Sequence, residues 1–372
     1  MSDIDNWFFR GKRPWSVIKD KVLGEYMPAY LAKVATLDRP ILLVDGYAGP
    51  GIYDDHSPGS PLIMCAAAER VVRGKYIALF VNHNPVHHEK LEEVLTKNGW
   101  RSRAIPVLGD STALLAQLST LLRSQTVFLY LDPYGLKGCE FATLEPFLTR
   151  DKKYSTEIVI NMSMPTTHRL AARHATAKGY SSRHEIAKRH ERLSRVFGGD
   201  YWKDILWSTA LRAEEKETAL MEQYRHLIST YLPYTGSCPV RRSKEARIKY
   251  FITFASRHPH AMVLMNDAMC KAYFGEMHRA EYEGTLFADT DWKTTRGTVQ
   301  LDSPVLEAVR QNPGKTRGDI WLVFIQQHFM QFTASEYKVS VQRLVEAEKI
   351  FSPTQRETSR LNDACELYPA LG

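Results

Sequence analysis

Two short runs combine the residue types that transfer a small group onto an amine. Phe128-Leu-Tyr-Leu-Asp132-Pro133-Tyr134-Gly135 carries an apolar stretch into an acid, a proline, an aromatic ring and a glycine. A carboxylate and the Pro133 carbonyl can accept the two N–H bonds of an amine on a planar base. They thereby aim its lone pair for in-line attack and oppose the positive charge growing on nitrogen. Tyr134 can stack on the base, Pro133 stiffens the turn, and Gly135 removes a Cβ from the approach. The competing reading is a plain strand-to-turn Asp-Pro pair with Tyr134 in the core. The second run, Val44-Asp45-Gly46-Tyr47-Ala48-Gly49-Pro50-Gly51, also closes an apolar stretch, and its Gly49-Pro-Gly51 lets backbone come close to a ligand. A nicotinamide fingerprint would pass from G-x-G-x-x-G directly into a helix. Here Gly51 is followed by Ile-Tyr-Asp-Asp-His-Ser and a second turn, Pro58-Gly59-Ser60-Pro61. An acid four residues before a G-x-G suits S-adenosylmethionine better. Asp45 would receive an ammonium or anchor the loop, with Gly46, Tyr47, Gly49 and Gly51 beside the methionine part. A tight turn without ligand is the alternative.

Further candidates lie after other apolar runs. Phe80-Val81-Asn82-His83-Asn84-Pro85 contains no acid; Asn82 or Asn84 can accept one ribose hydroxyl and donate to the other, but without charge assistance, a loss of about 1 kcal/mol. Gly109-Asp110-Ser111 puts an acid where an adenine amino group would lie, or simply a negative charge at a helix start. Thr166–Arg195 holds eight Arg and Lys against two Glu, with Arg169, Arg173 and Lys178 among the bases and Tyr180 available for stacking. Arg241, Arg242, Lys244, Arg247 and Lys249 form a second basic run. Such stripes track a phosphate backbone, and a solvated helix surface is the bland alternative. His258, in Ser256-Arg257-His258-Pro259-His260, is a candidate for the substrate mouth. No metal site is expected: His83, His87 and His88 lack an HExxH or a Cys ligand. Asn-Pro-Gly314-Lys315-Thr316 has Val309 where a P-loop needs its first glycine.

The elements that must position these residues follow from the apolar pattern. Short β-branched runs at Pro40–Asp45, Tyr76–Asn82, Ala104–Leu108, Val127–Asp132 and Glu157–Asn161 alternate with stretches of helical spacing, which predicts an α/β, doubly wound sheet. Thr166–Tyr231 reads as a basic helical insertion, and Ser237–Arg242 with Ile248–Ser256 as an antiparallel hairpin closing the same sheet. The expected domains are 1–280, containing the insertion at 166–231, a linker at 281–300, and a tail at 301–372. Three short helices and a possible wing make the tail winged-helix-like. The 372 residues carry 49 Lys and Arg against 42 Asp and Glu, an ordinary globular balance that excludes a disordered or collagen-like chain. Five scattered Cys without a CxxC, an acidic N-terminus and no apolar run of about 18 residues point to a reducing cytoplasm, with no membrane span.

Taken as a set, DGYAGPG, GSPL, LGDS, FLYLDPYG and FITFASRHPHAMVLMNDAM resemble the three-Cys-motif partner protein (TcmP) family over roughly Trp15 to Tyr273. Members of that family are similar to class I S-adenosylmethionine-dependent methyltransferases. The resemblance implies a Rossmann-type methyltransferase sheet, S-adenosylmethionine as cofactor and a separate three-Cys-motif protein as partner. The D-P-aromatic-G form also resembles the loop of tRNA guanine-N2 methyltransferases, which implies an exocyclic amine as acceptor and nucleic acid as substrate. A binding or scaffold subunit with weak or absent turnover, favoured by Asn82, and a winged-helix regulator are the alternatives.

Overall fold

A computed structural model describes residues 14–173, 182–296, 301–353 and 361–370. Lys178 and Tyr180 lie outside the described residues. The chain separates into two compact units, one ending at His258 and the other beginning at Pro259.

The first unit opens with a 22-residue helix, α1 (Pro14–Ala35). There follow β1 (Ile41–Asp45), α2 (Ser60–Val72), β2 (Ile77–Asn82), α3 (Pro85–Lys97), β3 (Ala104–Leu108), α4 (Ser111–Leu121), β4 (Thr126–Leu131), α5 (Phe141–Leu148) and β5 (Thr156–Ser163). Among the described residues the predicted insertion contains four helices, α6 (Met164–Ala171), α7 (Arg183–Phe197), α8 (Trp202–Leu206) and α9 (Ala213–Ser229), before the hairpin β6 (Tyr234–Val240) and β7 (Tyr250–Ser256). The seven strands form one sheet in the order β3-β2-β1-β4-β5-β7-β6. β1 to β5 are parallel, while β7 runs antiparallel to both β5 and β6. This is a mixed α/β, Rossmann-like architecture.

Both faces of the sheet are covered, so its central strands are apolar throughout; all residues of β1, β4 and β7 are buried. On one face Leu129, Ile158, Ile160 and Met162 share a core with Phe197, Trp202, Leu220 and Tyr224 of the insertion. On the other face α1 lays Tyr26 against Phe128 and Phe254, with ring centroids 6.1 and 5.7 Å apart. The helix carries a buried residue every fourth position, Ile18, Val22, Tyr26, Tyr30 and Val34.

The second unit contains α10 (Pro259–Tyr282), a single turn α11 (Trp292–Thr295), α12 (Asp302–Gln311), α13 (Arg317–Gln327), α14 (Ala334–Glu346) and the short antiparallel pair β8 (Ile350–Phe351) and β9 (Tyr368–Pro369). The sequence carries the first domain to residue 280, whereas Cα packing assigns α10 to the second unit. The buried Met262, Met265 and Met269 lie on that helix. No helix of the described residues is long and apolar enough to cross a membrane.

Candidate functional site

The two chemically suggestive turns are neighbours because β1 and β4 are neighbours, paired in register from Ile41↔Thr126 to Asp45↔Tyr130. The turn after Asp45 and the turn after Leu131 therefore leave the sheet side by side. Their backbones are joined there, the Gly46 N–H donating to the Tyr130 carbonyl at 3.0 Å. Tyr47 crosses from one to the other, its hydroxyl donating to the Lys137 carbonyl at 2.6 Å. It passes so close to Gly138 (φ +82°) that a Cβ there would lie 1.6 Å from the Tyr47 oxygen. The Asn82 amide donates to the Gly49 carbonyl at 3.4 Å, and the Gly109 N–H donates to the Asn82 carbonyl at 2.9 Å. The carboxyl ends of four strands are thus laced into one rim.

Asp45 is fully buried beneath this rim. Its carboxylate accepts from Ser60 Oγ at 2.6 Å and from the Tyr47 N–H at 3.0 Å, so it anchors the loop. Burial pushes its pKa up to about 7 against those hydrogen bonds; Asp132 raises it further and Lys19 lowers it. Gly51 adopts φ +79°, and a Cβ there would meet Leu91 and Leu62 at 2.7 and 2.9 Å, which makes it a packing glycine. Residues 51–59 fold back through an Ile52↔Pro58 bridge and a Gly59 N–H to Gly51 carbonyl bond of 2.8 Å. Asn84 caps α3, accepting from the Val86 N–H at 3.0 Å, and Asp110 caps α4, accepting from the Ala113 N–H at 3.2 Å. Asp110 also pairs with Lys137 at 2.9 Å, and that ammonium, then the Ala113 N–H, hold its carboxyl below the usual range.

Asp132 and Tyr134 stand in different environments. Tyr134 is 81% exposed rather than packed in the core. Gly135 has φ +106°, and Leu136 turns back into the apolar core. Asp132 is paired with Lys19 of α1, whose ammonium also lies 5.2 Å from the Tyr250 ring centroid. Asp20, Asp45 and Asp132 all bear electrostatically on Tyr53 and Tyr130, so the charge of three carboxylates is felt at two phenols on this side of the sheet. On β5, Asn161 donates to the Tyr130 hydroxyl at 3.3 Å, while its buried carbonyl oxygen has no hydrogen-bond partner. Sequence reasoning missed Lys19, Asp20, Tyr250 and Asn161. The four-residue apolar spacing of α1 was the one available signal, because the contacts themselves join distant segments.

The basic residues separate into several environments. Val240 and Ser163 both pair with Tyr250, which brings the 241–249 turn to the rim where β5 ends. Arg242 is exposed there, whereas Arg241 is held by Glu214 of α9 at 2.5 Å. Arg169 is exposed on α6, and Arg173 lies 5.2 Å from the Trp207 ring centroid. His258 departs from the expected position. β7 runs opposite to β5 with Ser256↔Glu157, so His258 follows a strand that ends at the amino-terminal edge of the parallel strands, away from Asp132. Among the described residues no group of three or more His, Cys, Asp or Glu is arranged to hold a metal.

No protein-family model matches the sequence, nor does any curated protein at a significant level. Similar solved structures include a Geobacter sulfurreducens methyltransferase, 18% identical over 36% of this chain, with a TM-score of 0.25; this chain spans 60% of its length. A Legionella pneumophila protein of family DUF519 is 11% identical over 70% of this chain and 92% of its own, with a TM-score of 0.40. An rRNA methylase of Streptococcus thermophilus is 10% identical over 65% and 95% of the two chains, with a TM-score of 0.31.

Proposed function

We propose that the chain is an S-adenosylmethionine-dependent N-methyltransferase acting on an exocyclic amine of a nucleic-acid base, in the cytoplasm, and a relative of the TcmP family. The observation that supports this reading is the in-register pairing of β1 with β4, which sets the Asp45–Gly51 and Asp132–Gly135 turns side by side at the carboxyl ends of the strands. When bound, S-adenosylmethionine supplies an electrophilic methyl group on a sulfonium. The donor set suits a cationic ligand, since the carboxylates Asp20, Asp45 and Asp132 all bear electrostatically on Tyr130 beside the turn that carries Asp132. Asp45 with the Gly46–Gly51 backbone would hold the methionine part, Asn82 the ribose and Asp110 the adenine edge. Asp132 and the Pro133 carbonyl would accept the amine's N–H bonds, and the carboxylate would oppose charge on nitrogen and take or pass on its surplus proton. The exposed Tyr134 would stack on the base, and Gly135, Arg169, Arg173 and Arg242 would line the polymer's path.

A second reading, a binding subunit of the same fold acting with nucleic acid and a three-Cys-motif partner, is favoured by the way Asn82, Asn84 and Asp110 are spent on the rim and on helix caps. A winged-helix-like role for α12, α13, α14 and the β8–β9 pair is a third. Titration calorimetry with S-adenosylmethionine and its demethylated product separates the first two. The methyltransferase reading expects heat from both ligands, and an Asp132→Ala variant that retains binding while methyl incorporation into total RNA or DNA falls by at least about 10²-fold. No heat at high protein concentration, or undiminished transfer by the variant, overturns it. Mass spectrometry of the modified nucleosides would then identify the base.

A further inference from the structure

Lys19 stands in an unusual place for a lysine. It lies near the start of a helix whose other duty is to cover the sheet, yet its side chain is only 10% exposed and its ammonium is paired with Asp132 Oδ2. The Tyr250 ring, itself buried, lies 5.2 Å from the same nitrogen. Withdrawing an ammonium from water is costly unless a carboxylate or an aromatic face replaces hydration, and both are supplied. The ammonium also offsets the repulsion between Asp132 and the buried Asp45. One oxygen of the carboxylate is committed, and Asp132 makes no other hydrogen bond among the described residues.

We propose that Lys19 is a positioning residue for methyl transfer: by holding Oδ2 it fixes the Asp132 carboxylate so that Oδ1 is left to accept the acceptor amine's N–H. The inference rests on the methyltransferase reading. A carboxylate on a single rotatable stem at the end of a strand samples several orientations, and only some present an oxygen in line with an incoming amine. A misplacement of about 1 Å at such a contact costs on the order of 10²-fold in rate. Because Lys19 touches neither the donor nor the base in this arrangement, its loss should act on turnover and leave binding alone.

The test compares the full-length wild type with Lys19→Met and Lys19→Arg, measuring cofactor affinity by calorimetry, melting temperature, and kcat and KM for methyl incorporation into total RNA or DNA. Lys19→Met is expected to keep cofactor affinity and acceptor KM within about 3-fold while kcat falls on the order of 10²-fold. Lys19→Arg, which restores a cation of similar reach, should recover at least about a tenth of the wild-type kcat. If Lys19→Met melts below the assay temperature, Lys19→Gln replaces it under the same criteria. Wild-type kcat in the Met or Gln variant overturns the proposal and leaves the methyltransferase reading standing. So does a kcat loss matched by an equal loss of cofactor affinity and not rescued by Arg. A wild type that binds no S-adenosylmethionine ends both.

Discussion

The Asp45 carboxyl is buried at the end of β1 with its two oxygens already accepting, one from Ser60 and one from Tyr47. With both oxygens committed, it would act on a ligand through the loop backbone it holds in place. Gly51 has the same double character. Its glycine identity answers a positive φ and the two leucine methyls that a Cβ would strike. Gly51→Ala is therefore expected to destabilise the first unit by about 1–3 kcal/mol, through strain and overpacking together. Urea unfolding reads this directly, and an unchanged midpoint would mean that the loop relaxes at no cost. Cofactor affinity should fall only as far as the loop moves.

At the scale of elements, the covering of the sheet by α1 explains why a helix belongs to the site at all. Tyr26 of α1 donates to Glu157 of β5, a fully buried carboxyl that burial pushes up to about 7 against hydrogen bonds from Tyr26 and Ser256. A folded-state value above the ordinary one of about 4.3 means that the native state holds the proton more tightly. The stability so gained is complete below about pH 4 and lost as pH rises through about 7. Asp45, also raised to about 7, acts in the same direction. Melting temperature should decline from pH 5 to pH 8, and Glu157→Gln should flatten part of that slope; an identical slope in the variant would refute the assignment. The strands were legible beforehand because a parallel sheet buried on both faces writes Leu42–Val44 or Phe128–Leu131 as unbroken apolar runs. The sequence signals α1 less plainly: Ile18, Val22, Tyr26, Tyr30 and Val34 carry helical spacing, but Pro28 stands inside the run. His258 was misplaced for a different reason: strand direction decides which rim a following residue reaches, and direction is a property of pairing, not of composition. Lys19 had no local signal, since its partner lies 113 residues away.

For the whole molecule, charge divides unevenly between the two units. Residues 1–258 hold 37 Lys and Arg against 27 Asp and Glu, while residues 259–372 hold 12 against 15. A polyanion should therefore be held by the first unit, where Arg242 is exposed at the carboxyl-end rim and Arg169 on α6, the helix that follows β5. In the second unit the bases of α14 are tied down, Lys338 to Asp363 at 3.1 Å and Arg343 to Asp302 at 2.7 Å, which weakens any case for that helix as a reader of phosphates. Binding of single-stranded nucleic acid, followed by fluorescence anisotropy from about 50 to 200 mM salt, separates these surfaces because each phosphate contact contributes about −0.7 to the log–log slope. Arg169→Glu with Arg242→Glu should lower affinity and reduce the magnitude of the slope by about one or more, whereas Lys338→Glu should leave both unchanged. The reverse pattern would move the polymer to the second unit and separate the basic rim from the proposed methyl transfer.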